Sequence, residues 1–158
     1  MKIATWNVNG LNARQEFVGL WLADRQPDLV GLQEIKLVDE AFPADFFAGL
    51  GYQVLTHGQK AWNGVAVLSR LPVEVVQKGL PGQESAGSRL ITARVDDRLE
   101  FTTVYCPNGK TLEHEDYAKK LAWFTSLGHY WRDRPSAGTV LCGDFNICLL
   151  YTSDAADE

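Results

Sequence analysis

Short β-rich runs alternate with helical segments along this chain, and the alternation constrains the fold more than any other feature. Three segments have helical character, at residues 14–24, 43–50 and 112–131, and Thr111 is placed to cap the last of them. Apolar or β-rich runs predict strands at 2–6, 29–33, 52–57, 64–69, 73–78, 90–95, 99–105 and 139–141. Helices that flank a sheet of mixed direction are typical of the α/β and α+β classes.

Apolar side chains recur at helical spacing in two of these segments and predict the faces that pack on the sheet. In residues 14–24 that face carries Phe17, Leu20 and Trp21. The stripe in residues 112–131 consists of Tyr117, Leu121, Phe124, Leu127 and Trp131. The turn at 96–98 predicts that the strands on either side of it pair as a hairpin.

The composition is that of one packed domain. With 158 residues, 46% of them hydrophobic, the chain suits a single core and excludes intrinsic disorder and a disulfide-stapled miniprotein. No apolar run approaches the roughly 20 residues of a membrane-spanning helix. The first residues form no long apolar signal core, so we expect a soluble, cytoplasmic protein. The cysteines Cys106, Cys142 and Cys148 have no metal-ligand spacing and predict reduced thiols.

The net charge of −5 argues against a protein that binds nucleic acid through bulk charge alone. The charge is unevenly distributed, however. Residues 147–158 contain three acidic side chains and no basic one, whereas residues 56–95 contain five basic side chains and two acidic ones. The charge distribution therefore leaves open the interpretation that a mildly acidic protein has a locally basic face.

Oxygen-bearing side chains stand at the ends of three predicted strands. Asn7 follows the first strand, and Gln33 with Glu34 ends the second. The last strand runs into Asp144, with Asn146 two residues further on. If these strand ends share one edge of a sheet, the side chains converge in a single cleft. Carboxylate and amide oxygens suit a hard cation such as Mg²⁺, so the pattern favours metal-dependent phosphoryl chemistry.

Each of these residues also has a purely structural explanation. Asn7 suits a turn, and Glu34 can form a solvated pair with Lys36. Residues 143–146 have the composition of an ordinary turn, and residues 105–109 read equally well as a strand end that runs into a Pro-Asn-Gly turn. On the residues alone, both interpretations stay open.

Six motifs occur in a fixed order along the chain. They are Thr-Trp-Asn-Val-Asn-Gly at 5–10, Leu-Gln-Glu at 32–34, Gly-Gln-Lys at 58–60, Asn-Gly-Val-Ala-Val-Leu-Ser-Arg at 63–70, Tyr-Cys-Pro-Asn-Gly at 105–109 and Gly-Asp-Phe-Asn at 143–146. Each is weak by itself, but the ordered set resembles the exodeoxyribonuclease III family of apurinic/apyrimidinic endonucleases, within the endonuclease/exonuclease/phosphatase superfamily.

The resemblance implies that the chain is the N-terminal half of a four-layer α/β sandwich, in which two packed mixed sheets carry helices on their outer faces. It implies Mg²⁺- or Mn²⁺-dependent cleavage of DNA phosphodiesters. The implied partner is duplex DNA with abasic sites or 3′ ends, as in base-excision repair, and members of the family are monomeric.

The resemblance also implies roles for single residues. Glu34 matches the metal-binding Glu of the family, and Asn7 matches an Asn beside the metal. Asp144 matches the Asp that handles the proton of the attacking water or the leaving oxygen. Asn146 matches the Asn that steadies the transition state beside Asp144, and both belong to the implied metal-side group. Tyr105 matches a Tyr that hydrogen-bonds the scissile phosphate.

Arg89 and Asn108 stand where the resemblance implies contacts to DNA. Two alternatives to a repair nuclease stay open: another phosphoesterase of the superfamily, such as a nonspecific DNase or a phosphoinositide phosphatase, and a non-catalytic binding module on the same framework. Lost carboxylates would favour a binding module, but Glu34 and Asp144 are both retained.

Residues 148–158 depart from the continuation that the family leads us to expect. We expect the domain to occupy residues 1–147 and regard residues 148–158 as a non-native tail. The resemblance assigns most of the second sheet, a further catalytic Asp and a Ser-Asp-His segment to polypeptide that this sequence does not contain. We therefore expect this chain to be inactive by itself. We also expect an uncovered apolar sheet face, which would make the chain poorly soluble or self-associating.

Overall fold

The computed structural model describes residues 1–134 and 138–147, so the predicted tail at 148–158 lies outside the described residues. The strands are Ile3–Asn7 (β1), Leu29–Gln33 (β2), Gln53–His57 (β3), Val65–Ser69 (β4), Val73–Lys78 (β5), Leu90–Val95 (β6), Leu99–Tyr105 (β7) and Thr139–Asp144 (β8). The helices are Gln15–Arg25 (α1), Ala44–Gly49 (α2) and Glu115–Arg132 (α3), with single 3-10 turns at Asp39–Ala41 and Glu84–Ala86. Every predicted strand and helix is present, and β8 extends beyond its predicted end to include Asp144.

The strands form two four-stranded sheets of mixed direction. The first sheet has the order β1-β2-β4-β3 and the second the order β5-β6-β7-β8. β1 pairs with β2 in parallel and β7 pairs with β8 in parallel, whereas all other neighbours are antiparallel. The predicted hairpin is confirmed, because Val95 pairs with Leu99 across a turn in which Asp96 and Asp97 both have positive φ.

The two sheets pack face to face, with apolar side chains filling the space between them. Leu29 and Val67 of the first sheet and Ile91 and Phe101 of the second are fully buried in one cluster. The expectation that most of the second sheet would be missing is therefore wrong. The inner apolar face that we expected to be exposed is covered within this chain at its centre, but it is partly open at the edge strand β1, where Ile3 is 38% exposed. Self-association stays a prediction.

Helices α1 and α2 cover the outer face of the first sheet. The buried apolar side chains of α1 are Val18 and Leu22, and Trp21 packs against the same core. The predicted face is therefore confirmed at Trp21 and wrong at Leu20, which is 70% exposed, and at Phe17, which is 61% exposed. A Cβ atom on Gly19 would stand 2.6 Å from the ring of Phe46, so this glycine gives the Phe46 ring of α2 room against α1.

Helix α3 covers the outer face of the second sheet and completes four layers. It begins at Glu115 with His114 as its N-cap, whose Nδ1 accepts from Asp116 N at 3.1 Å, so the predicted cap Thr111 is wrong. The buried side chains of α3 are Trp123, Leu127 and Tyr130; the predicted stripe was wrong at Leu121, which is 51% exposed. Bends and a turn occupy residues 111–114, so the helix begins after its predicted start. Within residues 1–134 and 138–147, no helix has the length and apolar character to cross a membrane.

Candidate active site

Polarity changes in steps along the inner faces of the sheets. On β7 the inward side chains are Phe101, Thr103 and Tyr105, and on β8 they are Val140, Cys142 and Asp144. The apolar core thus gives way to small polar groups and then to ionisable ones at the carboxyl ends of the strands. β1 follows the same direction and ends at Asn7.

The amide of Asn7 joins two carboxylates at this end of the sandwich. Its Nδ2 donates to Glu34 Oε1 at 2.7 Å and to Asp144 Oδ2 at 2.7 Å. Glu34 Oε1 and Asp144 Oδ2 therefore lie at most twice 2.7 Å from each other. The sequence placed these residues on one sheet edge, which is wrong for Asp144: it belongs to the second sheet, and the close packing of the two sheets brings it to the others.

Glu34 is held in its ionised form. Partial burial raises the pKa of this carboxyl, but hydrogen bonds from Asn7, Lys36 and Tyr105 outweigh burial and bring the pKa below its ordinary value. The Lys36 ammonium lies 3.1 Å from Glu34 Oε2. The ion pair that offered a structural explanation of Glu34 is thus present, and it stands inside the cluster. Glu34 and Lys36 both have positive φ, a conformation that costs free energy in residues other than glycine.

Tyr105 and Arg89 form the second side of the cluster. The hydroxyl of Tyr105 hydrogen-bonds Glu34, and burial together with the nearby Glu34 charge raises the pKa of Tyr105 to about 12. Arg89 lies over the Tyr105 ring at 4.9 Å and donates from Nη1 to the Tyr105 carbonyl at 3.2 Å. Arg89 Nε donates to the carbonyl of Ala86 at 2.8 Å, so two of its donors support the protein backbone.

The turn after β8 fixes Asp144. Gly143 has a φ of +141°, and a Cβ atom there would stand 2.0 Å from the carbonyl oxygen of Val104, so the approach to β7 requires glycine. The backbone N–H of Asn146 donates to Asp144 Oδ1 at 2.9 Å. The Asn146 side chain donates to the carbonyl of Cys106 at 2.7 Å and thereby ties this turn to the loop after β7.

Not every predicted site residue reaches the cluster. Asn108 is exposed on the loop after β7, and its side-chain oxygen accepts from the N–H of Lys110 at 2.9 Å. Lys120, to which no sequence signal points, supports the site: it donates from α3 to the Asn146 carbonyl. Gln33, which we expected to converge with the other strand-end side chains, lies buried beneath the cluster instead.

The donor set suits a hard divalent cation. Glu34 and Asp144 supply carboxylate oxygens. The Asn7 amide turns its Nδ2 towards them, while its Oδ1 accepts from the N–H of Asn9 at 2.9 Å. Within residues 1–134 and 138–147, no three His, Cys, Asp or Glu side chains come together as a metal site by themselves. Water and a bound phosphate would therefore complete the coordination, as is usual for Mg²⁺.

Comparison with known proteins gives concordant results. The model of the endonuclease/exonuclease/phosphatase family matches residues 4–154. Exodeoxyribonuclease III of Haemophilus influenzae is 37% identical over 154 residues, covering 93% of this chain and 58% of the relative.

Two solved structures are similar as well. The 3′ phosphatase NExo from Neisseria, bound to a product DNA hairpin, has a TM-score of 0.88 and 41% identity. An AP endonuclease from Archaeoglobus fulgidus has a TM-score of 0.88 and 36% identity. Each match covers 93% of this chain and 58% of the other protein, so the chain spans less than two thirds of the length of these relatives. The four-layer α/β architecture and the match over residues 4–154 show that the chain belongs to the endonuclease/exonuclease/phosphatase family.

Proposed function

We propose that this chain carries the metal-binding and phosphate-binding half of a divalent-metal-dependent DNA phosphodiesterase, with Mg²⁺ or Mn²⁺ as the cofactor. The observation that carries the proposal is the contact of the Asn7 amide with both Glu34 and Asp144. This contact brings groups from two sheets into one cluster at the end of a rigid sandwich. Such a preorganised set of charged and polar groups is what phosphoryl chemistry requires.

Duplex DNA with abasic sites or 3′ ends is the proposed substrate. The support comes from the names of the relatives, which include an exodeoxyribonuclease III and an AP endonuclease, and from the Neisseria relative whose structure holds a DNA hairpin. The fold by itself does not select a substrate, since one fold hosts many activities. The choice of DNA therefore rests on the relatives, and the choice of chemistry rests on the cluster.

Tyr105 is the proposed donor to the scissile phosphate. Its raised pKa, about 12, keeps the phenol protonated at neutral pH. The single O–H hydrogen-bonds Glu34 in this structure, and it would have to turn from Glu34 to a phosphate oxygen when DNA binds. Arg89 on the ring face restricts the orientation of the ring and adds positive charge beside the phosphate. A positioned donor of this kind stabilises negative charge that develops in the transition state.

Asp144 is the proposed acceptor of the proton from the attacking water. The water oxygen forms a bond to phosphorus, the bond from phosphorus to the 3′ oxygen breaks, and that oxygen takes up a proton from solvent while Asp144 releases the one it accepted. The N–H of Asn146 holds one oxygen of Asp144, which leaves the orientation of the carboxylate fixed. When bound beside Glu34, Mg²⁺ or Mn²⁺ would neutralise charge on the scissile phosphate.

An exposed loop next to Glu34 extends the proposed DNA-facing surface. The N–H of Ala61 donates to the Lys36 carbonyl, and the N–H of Lys36 donates to the Asn63 carbonyl, so residues 61–63 are tied to the segment that carries Glu34. Trp62 on this loop is 71% exposed. Exposed aromatic rings beside charged sites stack on unpaired bases. We assign this loop, together with Arg89 and Asn108, to DNA contact.

Incision of an abasic duplex tests the proposal. We would extend the chain to the full length of its relatives and compare it with Asp144→Asn, using Asp45→Asn as the matched control, because Asp45 is exposed on α2. Loss of a proton acceptor should lower incision by roughly 100-fold or more, whereas the control should retain full activity. Equal activity of Asp144→Asn and the control would contradict the assignment.

The 158-residue chain is tested in the same assay. We expect no incision above background, because groups that act as one unit fail together when some are absent. Robust Mg²⁺-dependent incision by this chain, abolished in Asp144→Asn, would show that the additional length of the relatives is dispensable.

A further inference from the structure

A polar layer joins the two sheets directly beneath the candidate active site. It consists of Thr5, Gly31, Gln33, Thr103 and Cys142 and lies between the apolar inner core and the ionisable cluster. Gln33 is 1% exposed, and its Nε2 lies 2.9 Å from Thr5 Oγ1, 2.9 Å from the Gly31 carbonyl and 2.7 Å from Thr103 Oγ1. The contact with Thr103 crosses from the first sheet to the second.

The register of the strands places this layer next to Asn7, Glu34, Tyr105 and Asp144. Thr103 pairs with Cys142, and two residues further along the same strands Tyr105 pairs with Asp144. On the first sheet Gln33 pairs with Asn7 and precedes Glu34. The hydrogen bond from Gln33 to Thr103 is therefore a direct link between the strand that leads to Glu34 and the strand that leads to Tyr105.

The sheets approach closely at this layer. A Cβ atom on Gly31 would stand 2.6 Å from Thr103 Oγ1 and 2.7 Å from Thr103 Cβ, so the glycine leaves the space that the threonine side chain fills. The thiol of Cys142 hydrogen-bonds both Thr5 and Thr103. Gly31, Gln33 and Thr103 are thus closely packed and hydrogen-bonded across the two sheets, whereas Thr5 on the edge strand β1 is exposed. We expect a change in the side chain of Gln33 to alter the separation or the alignment of the sheets here.

We propose that Gln33 is a positioning residue, which sets the distance between the Asn7–Glu34 side and the Tyr105–Asp144 side of the site through its buried link to Thr103. That this positioning matters for catalysis rests on the proposed function. The predicted effect of Gln33 on the contacts of Asn7 does not depend on a bound metal. A residue with a purely structural role would stabilise the sandwich without affecting the contacts of Asn7.

Another buried hydrogen-bonded group in the second sheet supplies a matched control. Thr92 Oγ1 lies 2.8 Å from Thr102 Oγ1 and 2.8 Å from the Tyr130 hydroxyl, on the outer face under α3. Thr92→Val removes a buried polar group of the same kind away from the site. Gln33→Met removes the amide and keeps a side chain of similar length.

The test compares the wild-type chain, Gln33→Met and Thr92→Val by NMR and by Mn²⁺ titration. Both variants should lower the melting temperature. Only Gln33→Met should speed the exchange of the Asn7 side-chain amide protons, by about tenfold, because the hydrogen bonds to Glu34 and Asp144 depend on the sheet separation. Only Gln33→Met should weaken Mn²⁺ binding, by about tenfold, the usual effect of losing a residue that orients metal ligands.

A second pair of variants covers the case in which Gln33→Met does not fold. Thr103→Val removes the one acceptor of Gln33 on the second sheet, and Thr103→Ser keeps it. Exchange of the Asn7 amide should therefore be fast in the first variant and as slow as in wild type in the second. Equal exchange in both Thr103 variants, or equal exchange in Gln33→Met and Thr92→Val, would overturn the proposal. If the wild-type chain does not bind Mn²⁺, the metal assignment fails, and the Asn7 exchange rates alone decide the role of Gln33.

Discussion

Replacing Asn7 by Asp would put a third carboxylate between the two that the Asn7 amide joins. The Asn7 Nδ2 group donates at 2.7 Å to Glu34 and at 2.7 Å to Asp144. The substitution keeps the size of the side chain and removes both donated hydrogen bonds. It therefore tests the charge of the cluster without creating a cavity.

The expected loss follows from the two hydrogen bonds. Hydrogen bonds to charged groups contribute roughly 1.5–3 kcal/mol each, and the lower figure applies because Asn7 is only half-buried, so the free energy of unfolding should fall by about 3 kcal/mol at neutral pH. Repulsion raises the pKa of the new carboxyl in the folded state. The folded state then binds more protons than the unfolded state, so the loss should shrink as the pH is lowered to about 5.

The assay is urea unfolding with and without Mg²⁺, for wild type, Asn7→Asp and the control Asn9→Asp. Asn9 is exposed and its side-chain oxygen accepts from Lys36, so a carboxylate there meets a cation, and Asn9→Asp should unfold like wild type. Millimolar Mg²⁺ should restore much of the stability of Asn7→Asp, because a cation screens the three carboxylates. An Asn7→Asp variant that is as stable as wild type, or one that Mg²⁺ does not stabilise, would refute this reasoning.

Three further predictions concern binding and stability. Glu34→Gln should weaken the binding of Mn²⁺ or Mg²⁺, as measured by calorimetry. In a full-length form of the protein, a higher Mg²⁺ concentration should partly recover the activity of this variant. Unchanged metal affinity would show that Glu34 is only a solvated acid. Because the pKa of Glu34 lies below its ordinary value of 4.5, its charge stabilises the fold above that pH. The stability difference between wild type and Glu34→Gln should therefore disappear in acid as the pH falls through the folded pKa, and a constant difference would contradict it. Trp123→Ala should lower the free energy of unfolding by about 3–5 kcal/mol in urea, since Trp123 is 1% exposed in the core under α3.

The order and type of the elements follow from local sequence signals. The β-rich runs and the hairpin turn at Asp96 and Asp97 are local features, and the structure contains the strands that they predict. The resemblance that the ordered motifs carry also implied the residues that meet in the cluster, whereas the residues alone left a turn at Asn7 and a solvated ion pair at Glu34 open. Asn7, Glu34, Tyr105 and Asp144 all stand at or next to the ends of strands, where local sequence signals are clear.

Contacts between distant elements could not be read from the sequence. Asn7 and Asp144 are 137 positions apart and belong to different sheets, so their contact depends on how the sheets pack. The buried face of α1 was predicted wrongly at Phe17 and Leu20 for the same reason, since which side of a helix is covered depends on the elements that pack against it. The role of Gln33 was invisible because its partner Thr103 lies across the interface between the sheets.

The measurement that tests the central claim most directly is the broadening of NMR resonances by substoichiometric Mn²⁺. The paramagnetic ion broadens signals of nearby nuclei and locates its own binding site. We expect the earliest losses at Asn7, Glu34, Tyr105 and Asp144, with Glu34→Gln reducing the effect at all four positions. Broadening centred on another part of the chain, or broadening unchanged in Glu34→Gln, would contradict the assignment of this cluster as the metal site of a DNA phosphodiesterase.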